Sequence, residues 1–436
     1  MKNAKNTLLE YLDKSPCSFL AVKTVRTHLD EQGFTYLKEG DNWNLEMGGK
    51  YYTVRNGSSL IAFTLPEEMK DYHFQIVSAH TDSPTYKVKD EAELNGPGEY
   101  LKLNTEGYGG MIDSTWLDRP LTVAGRVLVR ENGKAVSKLV FIDKDILIIP
   151  NMPIHFNREV NNGYKFNRQV DLIPMFSAGK LPKGSFTKML ADEIGTDAEN
   201  IISKEIFLVN REKAKLWGLN DEFISSGRLD DLEAVFTSLL GFTSAKKNGA
   251  VNIFAAFDNE EVGSNTKQGA MSTLLKSVVE RINCSLGKDK CDLYSATAKS
   301  FMISFDNAHA VHPNHPEKYD EKNRCYMNHG IVIKENANQK YTTDAFSSAL
   351  FKELCKASDV PFQVFTNRSD IQGGSTLGNI SNVEVSLHAV DIGLPQLAMH
   401  SSYETAGADD ICYAVKAICE FYSRDILISE AESFEI

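Results

Sequence analysis

The sequence of 436 residues has little that would suit a membrane, a nucleic acid or an oxidising compartment. No stretch approaches the roughly 18 consecutive apolar residues of a membrane-spanning helix, and residues 1–6 lack the apolar core of a signal peptide. Basic side chains are in deficit, with 47 Lys and Arg against 59 Asp and Glu, so the formal net charge is -12. Nucleic acids and anionic lipids repel such a chain. We therefore expect a cytoplasmic protein with no nucleic-acid and no membrane partner.

The seven cysteines form no recognisable site. They are scattered, no two of them form a CxxC motif, and their number is odd. Reduced and mostly buried thiols are therefore the expectation, which agrees with a cytoplasmic location. The chain has no internal repeat, and its 42% hydrophobic and 24% charged residues are ordinary for a globular protein. The cysteines are Cys17, Cys284, Cys291, Cys325, Cys355, Cys412 and Cys419.

The chain is long enough for two domains, because 436 residues exceed what one hydrophobic core usually holds. Residues 86–225 differ in sequence pattern from the rest of the chain, with a hairpin signal at Asn132-Gly133 and glycines clustered at positions 107, 109 and 110. We predict that these residues form an inserted β-rich domain. The remaining residues, 1–85 and 226–436, would form a larger α/β domain, with a second hairpin at Asn56-Gly57.

Four apolar segments, each with the character of a buried strand, run into polar residues that can bind metal. Open α/β sheets place their ligands at the carboxyl ends of such strands. Helical patterns lie between the segments, which favours an α/β fold. The segments are 74–78, leading to His80 and Asp82; 251–257, leading to Glu260 and Glu261; 301–305, leading to Asp306; and 394–399, ending at His400.

Each of these residues also has a structural interpretation. Neighbouring side chains on extended backbone point to opposite sides, so one of Glu260 and Glu261 can hold a metal while the other faces a substrate. An isolated acidic pair is more often a solvated turn. Asp82 could bind beside His80 or merely cap the following turn, and Asp230 could be only an N-cap of the helix after it. The collection of residues is more informative than any single one.

Five motifs together resemble the aspartyl aminopeptidases, a family of dizinc exopeptidases, and the resemblance covers nearly the whole chain. It implies a mixed-sheet α/β catalytic domain of the dizinc exopeptidase type, with residues 86–225 as an inserted β-rich dimerisation domain. The motifs are His80-Thr81-Asp82-Ser83-Pro84, Arg228-Leu229-Asp230, residues 258–264, residues 306–314 and residues 396–401.

The resemblance implies that two divalent metal ions bind in each subunit. In this family pattern His80 and Asp306 bind one ion, Glu261 and His400 bind the other, and Asp230 bridges both. Nitrogen and oxygen ligands without thiolate suit zinc first, and they also admit cobalt or manganese.

The same resemblance implies that Glu260 is the general base and that the Asp82 carboxylate orients His80 from the side away from the metal. A pair of ions about 3.5–4 Å apart polarises the scissile carbonyl and brings the pKa of a bound water toward about 7. Glu260 would take that proton and pass it to the leaving amine. The expected activity is removal of the N-terminal residue from short peptides.

Lys334 matches a family lysine that faces the N-terminal side chain of the substrate, where a cation would favour aspartate or glutamate. The alternative is an ordinary surface lysine. Ser375 and Thr376 lie in a glycine-rich segment, residues 373–378, which resembles the family's substrate-lining loop, although such a segment alone more often forms a turn.

Assembly is also implied by the resemblance. His155 resembles a histidine that reaches the active site of a neighbouring subunit, and the family forms dimers that assemble into dodecamers. A second group of histidines, His309, His312 and His315, is expected to be structural or peripheral, because only the preceding aspartate is a ligand in the family.

Two positions depart from the family pattern. Asp231 stands where many members have asparagine, and Tyr403 occupies a position often held by arginine, so metal affinity and pocket charge could both differ. Two alternatives therefore remain: a dizinc aminopeptidase of broad or apolar specificity, and a catalytically silent assembly or scaffold protein. The presence of Glu260 together with every expected ligand argues against the second alternative.

Overall fold

A computed structural model describes residues 2–374 and 376–436 of the chain. The helices in these residues are α1 (Lys2–Lys14), α2 (Ser18–Glu31), α3 (Ser185–Ile194), α4 (Leu229–Ser244), α5 (Leu274–Ser285), α6 (Lys290–Ala298), α7 (Ala345–Ala357), α8 (Leu377–Ser381) and α9 (Asp410–Ser423). None of the described helices is both long enough and apolar enough to cross a bilayer.

The strands follow in chain order. The first eleven are β1 (Thr35–Tyr36), β2 (Lys50–Arg55), β3 (Ser59–Thr64), β4 (Phe74–His80), β5 (Thr85–Asn95), β6 (Tyr100–Tyr108), β7 (Leu121–Glu131), β8 (Lys134–Phe141), β9 (Met175–Ala178), β10 (Ile201–Asn210) and β11 (Lys215–Trp217). The others are β12 (Phe223–Ser226), β13 (Val251–Phe257), β14 (Phe301–Phe305), β15 (Ala308–His309), β16 (Ile331–Glu335), β17 (Phe362–Thr366), β18 (His388–Gly393), β19 (Pro395–Leu397), β20 (Glu404–Gly407), β21 (Leu427–Ser429) and β22 (Ser433–Glu435).

The largest sheet has nine strands in the order β1-β2-β3-β13-β4-β14-β18-β16-β17. Its centre is parallel, since β4 pairs in parallel with both β13 and β14, while β3 and β16 run antiparallel to their neighbours β13 and β18. Every residue of β4, β13 and β14 is buried, as expected of parallel strands covered on both faces. The predicted mixed-sheet α/β fold is confirmed.

Helices cover both faces of this sheet, and alternate residues of each strand point to opposite cores. Val77 of β4 belongs to the core formed with α1, α2, α4, α7 and α9. Its neighbour Ile76 belongs to the core formed with α5 and α6. The continuous apolar runs in the sequence thus correspond to strands with two buried faces.

A second sheet of six strands, β8-β7-β10-β5-β6-β9, lies within residues 85–210 and is antiparallel. It has its own core, which includes Leu103, Val127 and Phe186. The β7–β8 hairpin turns at Asn132 and Gly133, with φ of 50° and 76°, so the left-handed turn expected of Asn-Gly is present. The role of this region in dimerisation stays a prediction.

A smaller five-stranded sheet, β11-β12-β20-β19-β15, joins the middle of the chain to its C-terminal part. β12 pairs antiparallel with β20, so Ser226 lies opposite Glu404. This pairing brings the segment before α4 next to the segment that follows His400. The five-stranded sheet therefore lies beside the carboxyl ends of the central strands.

Candidate metal centre

Three neighbouring strands deliver polar residues to one edge of the nine-stranded sheet. His80 is the last residue of β4, and Asp306 directly follows β14. Glu260 and Glu261 follow β13 after Asn259, whose φ of 64° turns the chain into a short 3-10 helix. Because β4 lies between β13 and β14, these side chains converge.

Two further residues, Asp230 in the first turn of α4 and His400 in the loop before β20, are held by one carboxylate. Asp230 stands at the start of α4, where its peptide bond to Asp231 is cis, and its N–H donates to Glu404 Oε2 at 3.2 Å. The N–H of His400 donates to Glu404 Oε1 at 2.7 Å. Burial, followed by repulsion from Asp230, raises the pKa of Glu404 to about 8. Glu404 therefore fixes the backbone at both ends of the candidate site.

Asp230 lies between the two histidines. Its Oδ1 is 3.5 Å from His80 Nε2, and its Oδ2 is 3.4 Å from His400 Nε2. Glu261 Oε1 is 3.4 Å from His400 Nε2, and Asp306 Oδ1 is 4.0 Å from His80 Nε2. The cluster thus has two halves that share one carboxylate.

The ligand atoms fall into overlapping groups, each within 4.8 Å, which is close enough to hold a metal ion. The groups are His80, Asp230, Asp231 and Asp306; Asp230, Glu261 and His400; and His80, Glu260 and Glu261. The five expected ligands are therefore brought together, and Asp231 joins them. Its Oδ2 accepts the N–H of His80 at 3.0 Å.

The donor atoms fit a divalent cation. Asp230 Oδ1 and Glu261 Oε1 are buried without a hydrogen-bond partner, although a buried carboxylate oxygen needs one. Burial and then the neighbouring Asp230 raise the pKa of Glu261 well above its usual range. For Asp230, burial is outweighed by the attraction of the nearby His400 and His80 rings, which holds its pKa below its usual range. A cation would relieve this crowding of carboxylates.

Both histidines present Nε2 to the cluster. His80 Nδ1 lies 3.1 Å from the carbonyl oxygen of Asp82 and 3.4 Å from Asp82 Oδ1. The ring of His400 lies beside the backbone of Gly110. A carbonyl oxygen beside Nδ1 of His80 favours the tautomer that carries its proton there, which leaves Nε2 as the atom for a metal.

Asp82 organises the residues on the other side of the cluster. Its Oδ1 accepts the N–H of Glu260 at 3.1 Å, and its Oδ2 accepts the N–H of Glu261 at 3.2 Å. The hydroxyl of Tyr108 donates to the same Oδ2 at 2.7 Å. Burial, together with the Asp306 carboxylate, raises the pKa of Glu260 to about 8. A carboxyl group that titrates near neutral pH can take and return a proton.

Lys334 is buried, with 2% of its surface exposed, so the surface-lysine alternative is wrong. Its ammonium donates to the carbonyl oxygens of Asp306 at 2.7 Å and Asn307 at 3.3 Å. It also lies 3.6 Å from Asp306 Oδ2 and 5.2 Å from the ring centre of Tyr341. Burial alone would lower the pKa of Lys334, but Asp306 and Tyr341 raise it, so the ammonium stays charged.

Other predicted residues lie outside the groups of ligand atoms. His155 is on an exposed loop, residues 150–171. The hydroxyl of Thr376 donates to the buried Asp391 at 2.7 Å, and Ser375 lies outside the described residues. Tyr403 donates its hydroxyl to the carbonyl of Lys213 at 2.9 Å. The functional roles predicted for His155, Ser375 and Thr376 stay predictions.

The additional histidines also lie outside those groups. His312 and His315 contact each other with ring centres 5.1 Å apart, and His309 packs at 6.2 Å against Phe365. His309 and His312 line a cleft of about 380 Å³ that reaches His400. The cleft is also lined by Phe365, Arg368, Ile371, Leu397 and Met399.

A separate cavity of about 270 Å³ lies behind Asp82, between the two larger sheets. Its lining includes Asp82, Asp258 and Glu404, but none of the five expected metal ligands. Burial, and then repulsion from Asp82, raises the pKa of Asp258 to about 7. The cleft beside His400 is therefore the better candidate for substrate entry.

Comparisons with known proteins identify close relatives. The family model described as aminopeptidase I zinc metalloprotease (M18) matches residues 11–422. A Clostridium novyi protein named "probable M18 family aminopeptidase 2" is 48% identical over 424 residues, covering 96% of this chain and 98% of the relative. A Schizosaccharomyces pombe protein named "aspartyl aminopeptidase 1" is 36% identical over 453 residues, covering 97% of this chain and 95% of the relative.

Solved structures give the same result for the fold. The chain is similar to a protein in the cryo-EM structure of the Ape4 and Nbr1 complex, with a TM-score of 0.94, 36% identity and coverage of 97% of this chain and 85% of that chain. It is also similar to the mApe1 dodecamer of Saccharomyces cerevisiae, with a TM-score of 0.84, 25% identity and coverage of 97% of both chains.

Proposed function

The chain belongs to the M18 family of aminopeptidase I zinc metalloproteases and is therefore a zinc metalloaminopeptidase. We propose that it removes N-terminal aspartate or glutamate from short peptides in preference to other residues. The position of Asp230 between His80 and His400 carries the proposed mechanism. Membership in an enzyme family argues against the scaffold alternative.

We propose two zinc ions per subunit. His80 and Asp306 would hold one ion, Glu261 and His400 the other, and Asp230 would contribute one oxygen to each. Bound zinc polarises the scissile carbonyl and makes a water more acidic. The orphaned oxygens of Asp230 and Glu261 support this assignment.

Glu260 is the proposed general base. Its backbone is tied to Asp82, so its carboxyl group is held at the edge of the cluster while remaining partly exposed. It accepts a proton from the attacking water and returns it to the leaving amine. Asp82 supports both steps by orienting His80 and the Glu260 backbone.

The preference for acidic residues rests on Lys334. Two of its three donors face carbonyl oxygens, while the 3.6 Å separation from Asp306 Oδ2 is longer than a hydrogen bond. A donor therefore remains for a carboxylate of the substrate, and a charge-assisted bond would form in a buried environment. The name of the Schizosaccharomyces pombe relative supports the same preference.

Broad or apolar specificity is the second candidate, because Phe365, Ile371, Leu397 and Met399 line the cleft beside His400. One experiment separates the two: metal analysis of the purified protein combined with turnover of Asp-, Glu- and Leu-peptides. We expect two zinc ions and a higher kcat/KM for the acidic peptides. Faster turnover of the Leu-peptide would replace the acidic preference with the second candidate.

We also propose that the protein assembles into dimers and then a dodecamer, like the Saccharomyces cerevisiae relative named as a dodecamer. The loop of residues 150–171 exposes large apolar side chains, among them Phe156 at 83% and Val170 at 71%, which suits a subunit contact. His155 in this loop would reach the site of a neighbouring subunit. Sedimentation would show the dodecameric mass.

The cytoplasm is the proposed location. None of the seven cysteines, all of which lie in the described residues, is assigned to a disulfide, and several of them are exposed or half-buried, as is usual where thiols are kept reduced.

Thr376 and Ser375 are proposed to line the bound substrate, as the resemblance of residues 373–378 to the family's substrate-lining loop implies.

A further inference from the structure

The glycine cluster at the end of β6 lies where the six-stranded sheet meets the candidate metal centre. We call residues 108–112 the Tyr108 segment. It begins with the last residue of β6 and contains Gly109 and Gly110. The proposed mechanism gives this segment no part, although it contacts residues on both sides of the cluster.

Tyr108 connects the two larger sheets through its hydroxyl. The hydroxyl donates to Asp82 Oδ2 at 2.7 Å and accepts a hydrogen bond from Asn259 Nδ2 at 2.7 Å. Its ring packs edge-on against Phe207 of β10, with ring centres 5.6 Å apart. Asp82 in turn accepts the N–H groups of Glu260 and Glu261. The hydroxyl therefore fixes a carboxylate that holds the proposed base and one proposed ligand.

The glycines that follow contact the other half of the cluster. Gly109 has φ of +75°, and a Cβ atom there would lie 3.2 Å from Glu261 Cβ and 3.4 Å from Pro84 Cβ. The backbone of Gly110 lies beside the ring of His400. The N–H of Ile112 donates to the carbonyl oxygen of His400 at 3.0 Å. A short stretch of chain thus contacts Glu261 and His400 directly.

We propose that the Tyr108 segment positions the metal ligands, with Tyr108 as a positioning residue that acts through Asp82. The proposal rests on the proposed function for the identity of the ion. Groups that orient metal ligands in this way typically change metal affinity or activity by 10- to 100-fold when they are removed. The segment also makes the ligand geometry depend on how the six-stranded sheet sits against the nine-stranded sheet.

The first test is Tyr108→Phe, which removes only the hydroxyl. Tyr52→Phe is the matched control, because Tyr52 is also buried and donates to a carboxylate, Asp30 Oδ1, at 2.7 Å, outside the metal cluster. Zinc affinity of the loaded enzyme is measured by competition with a graded chelator. We expect Tyr108→Phe to weaken zinc binding 10- to 100-fold and to lower kcat with KM changed less than about threefold. Zinc affinity equal to that of Tyr52→Phe would overturn the proposal.

The second test uses two glycine variants and still tests the proposal if Tyr108→Phe fails to fold. Gly109→Ala adds a methyl group against Glu261, while Gly133→Ala adds one in open space at nearly the same φ, +76°. Both variants carry the same backbone strain, so only the contact differs. We expect weaker zinc binding in Gly109→Ala alone, and equal affinities would overturn the proposal. Because no peptide enters this measurement, it stands even if the acidic preference fails.

Discussion

The ammonium of Lys334 donates to the carbonyl oxygen of Asp306 at 2.7 Å and lies 3.6 Å from the Asp306 carboxylate. Lys334 therefore has two separable functions: it holds the backbone beside a proposed ligand, and it supplies a buried positive charge. Substitution distinguishes them, because loss of support affects every substrate, whereas loss of charge affects only acidic substrates.

We predict that Lys334→Met lowers kcat/KM for Asp- and Glu-peptides by 10- to 100-fold. A charged hydrogen bond worth roughly 1.5–3 kcal/mol is lost, while most of the aliphatic volume remains. Leu-peptides should be unaffected or improved. Lys204→Met is the control, since Lys204 donates to the carbonyl of Asp90 outside the metal cluster. Equal losses on Asp- and Leu-peptides would show that Lys334 only supports Asp306.

Glu260→Gln should keep both zinc ions and lose 10²- to 10⁴-fold in kcat, because an amide cannot accept the proton of the attacking water. Zinc content and single-turnover rates are the measurements. A variant with nearly normal turnover would remove Glu260 from the mechanism, whereas loss of zinc would make it a ligand.

Asp230→Asn should reduce zinc content at both positions, because each carboxylate oxygen faces a different histidine and a neutral amide cannot bind two cations in this way. The control is Asp231→Asn, in which the amide oxygen can still accept the N–H of His80. Metal analysis after dialysis should find two ions in the control. Full occupancy in Asp230→Asn would place the bridge elsewhere.

Asp258→Asn should stabilise the metal-free protein at pH 8 more than at pH 5. Burial raises the pKa of Asp258 to about 7, so its protonated form is favoured in the folded state. Stability from this group is complete below the pKa of about 4 in the unfolded chain and is lost as pH rises through 7. Melting temperatures at both pH values test this difference. An identical shift at pH 5 and pH 8 would contradict it.

His155→Ala should lower activity, and mixing it with Glu260→Gln should restore part of it if subunits exchange. A mixed dimer can combine an intact His155 from one chain with an intact Glu260 from the other. His315→Ala is the control, because His315 is an exposed histidine paired with Glu317. A fully active His155→Ala enzyme would rule out a contribution across the interface.

The residues at strand ends could be predicted from the sequence because their signal is local. A buried strand is a visible apolar run, and His80, Asp306 and the pair Glu260 and Glu261 follow such runs directly. The burial of Lys334 also had a signal, since three apolar residues precede it in β16. The surface alternative for Lys334 rests only on how often lysine lies at protein surfaces.

The supporting residues could not be predicted in this way. Glu404 matters because β20 pairs with β12 and brings it to Asp230, which is far away in sequence. Tyr108 reaches Asp82 because β6 pairs with β5, which places Tyr108 opposite Thr85, three residues after Asp82. Neither residue belongs to a local pattern, so only the packing of distant segments reveals it.

The hydrogen bonds of Glu404 have a consequence for synthesis of the protein. One carboxylate fixes Asp230 and His400, and it is translated after all five expected ligands. The strands β4, β13 and β14 all precede Glu404 in the chain, so they are synthesised before the group that fixes Asp230 and His400. We therefore expect a chain that ends before Glu404 to lack the hydrogen bonds that fix Asp230 and His400, so that its metal centre does not assemble.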